Sequence, residues 1–259
     1  MSDSILKKAP DTSYQEAALP VSWEAFENIL KNRRSVRVYE KEAVPDEVVQ
    51  KCLQAALLAP NSSNLQPWEF YWIHSEEAKK EVSTICLSQP AATTAPVLIA
   101  CVARTNTWKK SRDLMLEQFA KAESEGTVVP KSAKAYYQKL VPFFYTMGFL
   151  SVLGYLKKVL FFFRGIKEAT PREPTSNNDM KIWAVKSTSL ACQNLMMAFS
   201  AAGYDSCPME GYDSTRLKKF LKLPSDAVPV MVISAGKRST KGIYGPRFRF
   251  PSSDFIKKV

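Results

Sequence analysis

The chain contains 259 residues, of which 46% are hydrophobic, and its 36 Lys and Arg against 25 Asp and Glu give a formal net charge of +11. This length and apolar content suit one large domain or two small ones, and they exclude disorder along the whole chain. The single histidine, His74, excludes sites that need two or more histidines, and no glycine spacing of the dinucleotide-binding or P-loop type is present.

The cysteines and the N-terminal segment bear on where the protein functions. Five cysteines without a C-x-x-C pair predict buried, reduced thiols in a cytoplasmic protein. Residues 1–20 are polar and interrupted by proline, and we expect a mobile lead-in there rather than a signal peptide. The uncharged run 141–156 is shorter than the roughly 18 residues expected of a membrane-spanning helix.

The first half of the chain is predicted to contain helices and strands in alternation. Ser22 can cap a first helix, and a second helix should begin near Pro45 and end at Pro60. The aromatic run 68–73 is typical of a strand, Ser75 precedes another helix, and the run 96–102 is typical of a central strand. The first helix has an apolar face of Trp23, Phe26, Ile29 and Leu30, and the second is expected to bury Val48, Val49, Cys52, Leu53, Ala56 and Leu57.

The second half begins with an aromatic, charged excursion at 105–178. Strand signals resume after it, so residues 21–259 are predicted to form a single domain that includes this excursion as a lid. Asp179 is placed to cap a long helix that ends at Gly203, and Asp213 to cap a short one. A last strand at 228–235 precedes a basic, aromatic tail, and this alternation predicts an α/β or α+β sandwich.

A first candidate site is the segment Arg33-Arg34-Ser35-Val36-Arg37. Arginine presents forked donors to anionic oxygens, so three guanidinium groups beside a hydroxyl suit a phosphate. In an extended segment Arg33, Ser35 and Arg37 would point the same way. Taken alone, however, such a segment is more often a solvated basic face or a surface patch for nucleic acid.

Three further segments are candidate binding sites. The loop 60–68 (PNSSNLQPW) places amides and hydroxyls between two prolines, which suits a polar heterocycle or forms an ordinary turn. In 207–213 (CPMEGYD), proline and glycine shape a turn whose backbone N–H groups would be fixed donors, although Glu210 could equally be a surface acid. The segment 247–251 (RFRFP) carries two arginines on one side, or is simply a basic C-terminus.

Taken in this order, the four segments resemble the nitroreductase family of flavin enzymes. The resemblance extends from about residue 22 to residue 251, with 105–178 as the divergent part. It implies an α+β, nitroreductase-like sandwich with a central mixed β-sheet flanked by helices. It also implies an intertwined homodimer, in which FMN lies at the interface and the C-terminal tail reaches the partner.

The resemblance assigns roles to the basic residues and to the loop. Arg33 and Ser35 match positions that hold the FMN phosphate, with further contacts from Arg34, and Arg37 matches the basic residue beside flavin N1 and O2. Arg249, supported by Arg247, matches the tail residues that return to the phosphate. The positions that match the loop from the partner chain are Asn61, Ser62, Asn64 and Gln66, although the family more often has serine at position 61.

The turn of the third segment matches the part of the family that lies along the isoalloxazine. The matching positions are Pro208, Met209, Glu210 and Gly211, where the backbone N–H of Glu210 would reach flavin N5. Gln89 is a loose match to an Asn or Gln that many members place before the second strand.

The implied reaction requires few side chains, because the flavin carries the chemistry. NADH or NADPH would deliver hydride to flavin N5, and a nitroaromatic, quinone or similar flat acceptor would then occupy the same place, a ping-pong mechanism. Arg37 would stabilise the negative charge on reduced flavin. The lid would select the acceptor. Its aromatic residues could stack on a flat acceptor, although aromatic stripes of this kind are more often core; they are Tyr136, Tyr137, Phe143, Phe144 and Tyr145.

Other functions stay open at this point. Relatives that dehalogenate iodotyrosine-like substrates or degrade flavin share the arginine motif, but Glu117, Tyr136 and Lys139 do not match the spacing of their substrate-binding set. The charge permits a nucleic-acid-binding protein, although no motif of that kind is apparent, and a non-catalytic flavin-binding protein would keep the same motifs. Contact of residues 141–163 with a membrane surface is a less favoured hypothesis. His74 is expected on the surface.

Overall fold

The computed structural model describes residues 15–148 and 151–259. The expected lead-in at 1–20 therefore lies mostly outside the described residues, and its last part, 15–20, is exposed and has no helix or strand. Two residues of the uncharged run 141–156 also lie outside them.

Four strands form the sheet at the centre of the fold. They are β1 (Trp68–Ile73), β2 (Val97–Arg104), β3 (Asp205–Met209) and β4 (Ala227–Gly236). The strand order is β1-β2-β4-β3, and each neighbouring pair is antiparallel.

The α+β architecture is confirmed, but the expected mixed sheet is not found among these four strands. The parallel pairing in the described chain is an isolated bridge between Ser35 and Ser206. It does not extend into a ladder, because the backbone N–H of Val36 donates to Ser206 whereas that of Arg37 donates to Gly242.

Helices cover both faces of the sheet. They are α1 (Trp23–Asn32), α2 (Asp46–Leu57), α3 (Glu76–Ile85), α4 (Pro90–Thr93), α5 (Trp108–Ser124), α6 (Lys131–Ala135), α7 (Val141–Tyr145), α8 (Val152–Lys167), α9 (Asn177–Ala201) and α10 (Ser214–Phe220). The described part of the excursion 105–178 contains helices α5 to α8 and no strand. Across the described ranges, none of the helices combines the length and the apolar character that crossing a bilayer requires.

Side-chain caps set the starts of several helices. Ser22 Oγ accepts from the backbone N–H of Ala25 and Asp213 accepts from two N–H groups of α10, as the sequence predicts. The predicted cap of α9 is wrong: Ser176 occupies that position, and its Oγ accepts from Asp179 N at 3.1 Å. Asp179 instead lies in the first turn and accepts from Thr175 N at 2.8 Å, because a carboxylate there can bond back to the N–H groups before the helix.

The core lies on both faces of the sheet. Leu98 of β2 packs in a cluster with α3 and α10, whereas Ile99 packs in a cluster with α2 and α9. β2 is therefore buried on both faces, as its apolar run predicts. The five cysteines are buried and free, which confirms the expected thiols.

Two predicted apolar faces are less buried in the single chain than the sequence suggests. Leu57 is 43% exposed, because it lies about 100° around the helix from the buried Ala56. On α1, Trp23, Phe26 and Leu30 are exposed, since no residue of that helix is buried against the described chain. The outer side of α1 thus presents an uncovered apolar face.

Candidate functional site

Five arginines gather at one cavity of about 250 Å³. They come from two parts of the chain that are more than 200 residues apart, the segment after α1 and the C-terminal tail. The cavity is lined by Arg33, Arg34, Ser35, Arg37, Ile243, Tyr244, Gly245, Pro246, Arg247, Phe248 and Arg249. Among the described residues no Asp or Glu lines it, so the cavity is cationic.

Backbone contacts place the arginine segment beside β3. Arg33 is the C-cap of α1, and its N–H donates to Ile29 O at 3.0 Å. Val36 N then donates to Ser206 O at 3.2 Å, which aligns the segment with the middle of β3. The sequence motif thus follows the helix end directly and lies along the strand that leads into the P-M-E-G turn.

Arg247 holds the end of α1 in place. Its guanidinium donates to Leu30 O at 3.3 Å and to Lys31 O at 2.9 Å, and it also donates to Arg33 O. These carbonyls lack partners inside the helix, and a cationic donor beside them is favourable. Arg247 is therefore committed to positioning the arginine segment.

Three of the remaining arginines make few contacts with nearby groups, and Arg37 donates to Ser35 O at 3.4 Å. Arg34 donates to Gly245 O at 2.6 Å, and Arg249 to Phe248 O at 2.7 Å. Arg37 lies over the ring of Tyr244 at 5.3 Å, a cation–π distance. Because each guanidinium has five N–H donors, these contacts leave donors for a bound anion.

The electrostatics of the cavity favour such an anion. Burial, followed by repulsion from Arg247 and Arg249, lowers the pKa of Arg33. A lowered arginine pKa means that the charged form is disfavoured by its surroundings. A negative group among these arginines would remove that penalty.

The P-M-E-G segment is only partly the predicted turn, because Pro208 and Met209 belong to β3 and the chain leaves the strand at Glu210. Met209 is the last residue of the strand and is buried, whereas Glu210 and Gly211 are exposed. Gln89, whose match to the family is loose in sequence, donates from Nε2 to Gly211 O at 2.7 Å and to Cys86 O at 2.9 Å. The structure thus brings Gln89 to this turn and fixes the turn against the end of α3.

Hydrogen bonds of side-chain amides within the loop 60–68 hold its two ends together. Asn61 Oδ1 accepts from Gln66 N at 2.8 Å, and Gln66 Nε2 donates to Asn64 Oδ1 at 3.4 Å. Ser63, Asn64 and Gln66 all have positive φ, between 46° and 59°. Three non-glycine residues in this sparsely occupied region are costly unless surrounding contacts hold them.

Three lid tyrosines supply those contacts. Tyr136 OH lies 2.6 Å from Ser63 Oγ and Tyr137 OH donates to Ser63 O at 2.9 Å. Tyr145 OH lies 3.2 Å from Ser62 Oγ. Tyr137 and Tyr145 are both buried in a core cluster, and Tyr145 also lines the cavity between the lid and α9, whereas Tyr137 does not.

The loop lines a different cavity, of about 610 Å³, between the lid and α9. Tyr136 and Phe144 of the lid reach this cavity, and the residues that line it with them are Asn61, Ser62, Ser63, Val141, Tyr145, Pro171, Arg172, Glu173, Pro174, Asp179, Trp183, Lys186, Ser187 and Leu190. The contribution of α9 was not expected from sequence. Lys186 and Ser187 are two of many polar residues along α9, so the sequence carried no distinct signal for this role.

The predicted site residues that line a cavity form two groups in one chain. The arginines, Ser35 and the tail share the first cavity, and Asn61 and Ser62 line the second. The remaining predicted residues line neither cavity, and they are Asn64, Gln66, Pro208, Met209, Glu210 and Gly211. In the described chain no residue of the loop lines the arginine cavity. Outside both groups, His74 is exposed and lies 3.3 Å from Asp46, as expected of a surface residue.

Comparison with known proteins identifies similar chains. The sequence model of the nitroreductase family matches residues 30–237. Protein DrgA of Synechocystis sp. is 29% identical over 208 residues, which are 80% of this chain and 81% of DrgA. An NADH dehydrogenase of Thermus thermophilus is 27% identical over 236 residues, 91% of this chain and 96% of that protein. The crystal structure of a putative nitroreductase in complex with FMN from Exiguobacterium sibiricum has a TM-score of 0.65 and 24% identity, with 97% of this chain and 100% of that chain covered.

Proposed function

Because the chain belongs to the nitroreductase family, we propose that it is an FMN-dependent oxidoreductase that takes electrons from NADH or NADPH and passes them to a flat acceptor such as a nitroaromatic or a quinone. The match over residues 30–237 confirms the family resemblance and includes three of the four motifs, whereas the tail segment 247–251 lies beyond it. The relative from Thermus is named an NADH dehydrogenase and the Exiguobacterium structure holds FMN, which supports both the donor and the cofactor.

The arginine cavity is the observation that carries this proposal. Its side-chain donors are guanidinium groups and the hydroxyls of Ser35 and Tyr244, no carboxylate of the described chain lines it, and burial together with like-charge repulsion lowers the pKa of Arg33. This donor set fits the phosphate of FMN, which is a dianion that accepts several hydrogen bonds. Arg33, Ser35 and Arg249 would hold the phosphate together with Arg34, while Arg247 would position them through its bonds to the end of α1.

The turn after β3 would lie along the flavin ring. Pro208, Met209, Glu210 and Gly211 offer backbone groups at the strand end, and Gln89 holds the Gly211 carbonyl. Arg37 would stand beside flavin N1 and O2, where its charge offsets the negative charge of the reduced ring. FMN, when bound, supplies the two-electron chemistry, accepting hydride from a pyridine nucleotide and reducing the acceptor.

A second copy of the chain would complete the site. The loop lines the second cavity through Asn61 and Ser62, and neither these residues nor Asn64 and Gln66 line the arginine cavity of their own chain. The loop is already closed by its own amides and held by lid tyrosines, so it is shaped to present those side chains outward. The exposed apolar face of α1 and the exposed Leu190 of α9 are surfaces that a homodimer would cover.

Flavin binding and reduction test the proposal together. We expect purified protein to bind FMN and the bound flavin to be bleached by NADH or NADPH without oxygen. Arg37→Ala and Arg249→Ala should weaken FMN binding about tenfold or more, since a charged hydrogen bond contributes about 1.5–3 kcal/mol. Arg112→Ala is the matched control, because Arg112 pairs with Asp113 on the lid and lies outside the four motifs.

Other outcomes would contradict the proposal in different ways. Unchanged FMN affinity in both variants would remove the assigned roles of Arg37 and Arg249. Protein that binds no FMN but binds DNA in a salt-sensitive manner would favour a nucleic-acid partner. Protein that holds FMN but is bleached by neither nucleotide would favour a non-catalytic flavin-binding role.

A further inference from the structure

Helix α8 (Val152–Lys167), which is part of the lid, packs against the rest of the chain through a narrow stripe of buried residues. Only Gly154, Lys157 and Phe161 are buried among its sixteen residues. These positions follow a spacing of three and four, so they form a single line along one side of the helix. The remaining surface of α8 faces away from the described chain.

The outward surface of α8 is apolar over about half of its circumference, counted at 100° per residue. An apolar stripe on a surface helix normally faces the core, and here it faces out. Each apolar residue of this surface is between 45% and 69% exposed, and together they are Val152, Leu153, Tyr155, Leu156, Val159, Leu160, Phe162, Phe163 and Ile166. We refer to these nine residues as the α8 face.

The same helix is strongly basic. Residues 152–167 contain four Lys or Arg and no Asp or Glu. Lys157 is buried and Arg164 pairs with Glu168, whereas Lys158 and Lys167 are exposed beside the α8 face. The outward surface of α8 is therefore both apolar and cationic.

The contacts of the buried stripe hold α8 in one orientation, in which the α8 face points to solvent. Lys157 Nζ donates to three carbonyls around the end of α7, those of Phe143, Phe144 and Thr146, at 2.8–3.1 Å. Gly154 allows the helix to approach the backbone of Thr175 so closely that a side chain would not fit. These contacts fix which side of α8 is turned outward.

We propose that the α8 face is a docking surface for an anionic lipid bilayer, with α8 lying parallel to the membrane and its apolar side chains inserted at the headgroup boundary. Exposed apolar residues flanked by lysines are the pattern that binds such interfaces, through apolar burial and attraction to anionic lipid. None of the described helices can span a bilayer, so the contact is interfacial. A second copy is the less favourable occupant of this face, because it would bring the same lysines against it, and the proposed homodimer covers α1 and α9 instead.

Vesicle flotation of the full chain tests this docking surface. Vesicles of phosphatidylcholine alone are compared with vesicles that also contain phosphatidylglycerol, each at low and at high salt. We expect flotation with the anionic vesicles at low salt, weaker flotation at high salt, and little with phosphatidylcholine alone. The affinity for anionic vesicles should fall roughly tenfold or more in the double variant Leu156→Gln/Phe163→Gln, because two apolar side chains lose their burial, and also in Lys158→Glu/Lys167→Glu.

Matched control variants and the oligomeric state complete the experiment. Leu114→Gln and Lys110→Glu change exposed residues of the same types on α5 and should leave flotation unchanged. Circular dichroism and FMN content would establish that each variant is folded, separately from the proposed catalysis. The proposal is overturned if no vesicle floats the wild type at low salt, or if the α8 variants float as well as the controls. It is also overturned if ultracentrifugation shows that these variants only dissociate an oligomer.

Discussion

The side-chain amide of Gln89 donates to the carbonyl oxygen of Gly211 at 2.7 Å, and so joins two turns that are 122 residues apart. The same amide donates to Cys86 O at 2.9 Å. Gly211 closes the P-M-E-G turn, and Cys86 is the C-cap of α3. One side chain therefore sets the distance between the proposed flavin-binding turn and the helix behind it.

Gln89→Ala should lower both stability and FMN affinity. The two carbonyls lose their donor, which costs about 1–2 kcal/mol of the free energy of unfolding. Gln89→Glu should cost more, because a carboxylate would face two carbonyl oxygens. Urea unfolding and FMN titration measure the two effects, with Gln54→Ala on the exposed side of α2 as the control. Values equal to those of the control would mean that the Gln89 amide does not hold the turn.

Substitutions of Arg247 and Arg249 should change different properties: the first the stability of the protein, the second its affinity for FMN. Arg247→Ala removes bonds to the carbonyls at the end of α1 and should destabilise the apo protein by about 1–3 kcal/mol. Arg249→Ala removes a like charge that lowers the pKa of Arg33, so the stability of the apo protein should not fall. FMN affinity, however, should drop in Arg249→Ala.

Thermal melting with and without FMN measures this split. Destabilisation of the apo protein by Arg249→Ala, to the same extent as by Arg247→Ala, would show that Arg249 is a structural residue like its neighbour.

The parts of the fold that local patterns determine could be predicted from the sequence. β1 begins and ends where its aromatic run does, and Ser22, Ser75 and Asp213 each cap the helix that follows. These features depend on side chains within a few residues of one another. The buried run of β2 was likewise visible, because an uninterrupted apolar strand requires cover on both faces.

The parts that depend on distant contacts could not be predicted in the same way. β3 is five residues long and contains Pro208, so its sequence resembles a turn, and its pairing with β4 makes it an edge strand. The arginine motifs could be listed from sequence, but their convergence depends on the tail returning to α1. The tyrosine contacts of the 60–68 loop have no local signal, since their partners lie more than 70 residues away.

The Tyr136–Ser63 contact should couple the lid to the 60–68 loop. Tyr136→Phe and Ser63→Ala each remove one side of a 2.6 Å hydrogen bond, and a double-mutant cycle should give a coupling energy of about 1 kcal/mol. Hydrogen exchange of the loop amides should rise in both variants, because the positive φ of Ser63 loses support. Tyr155→Phe, on the exposed surface of α8, is the control. Additive effects of the two variants would contradict the coupling.

Lys157 should make the stability of the lid depend on pH. Burial lowers the pKa of this ammonium group from 10.5 to about 8. Between these values the unfolded chain binds a proton that the folded chain has released, so the free energy of unfolding rises with pH in this window. Relative to Lys157→Met, the wild type should therefore gain about 1–3 kcal/mol from below pH 8 to above pH 10, and the difference should level off beyond 10.5.

Urea unfolding of the wild type and Lys157→Met across this pH range measures the change. Lys158→Met is the matched control, because Lys158 is the adjacent lysine and is exposed. The Lys157 nitrogen donates to the carbonyls of Phe143, Phe144 and Thr146 as the ammonium and keeps two N–H donors as the neutral amine, so Lys157→Met should be the less stable protein at every pH in the series. A difference between wild type and Lys157→Met that stays constant from pH 7 to pH 10 would show that the buried lysine keeps its ordinary pKa.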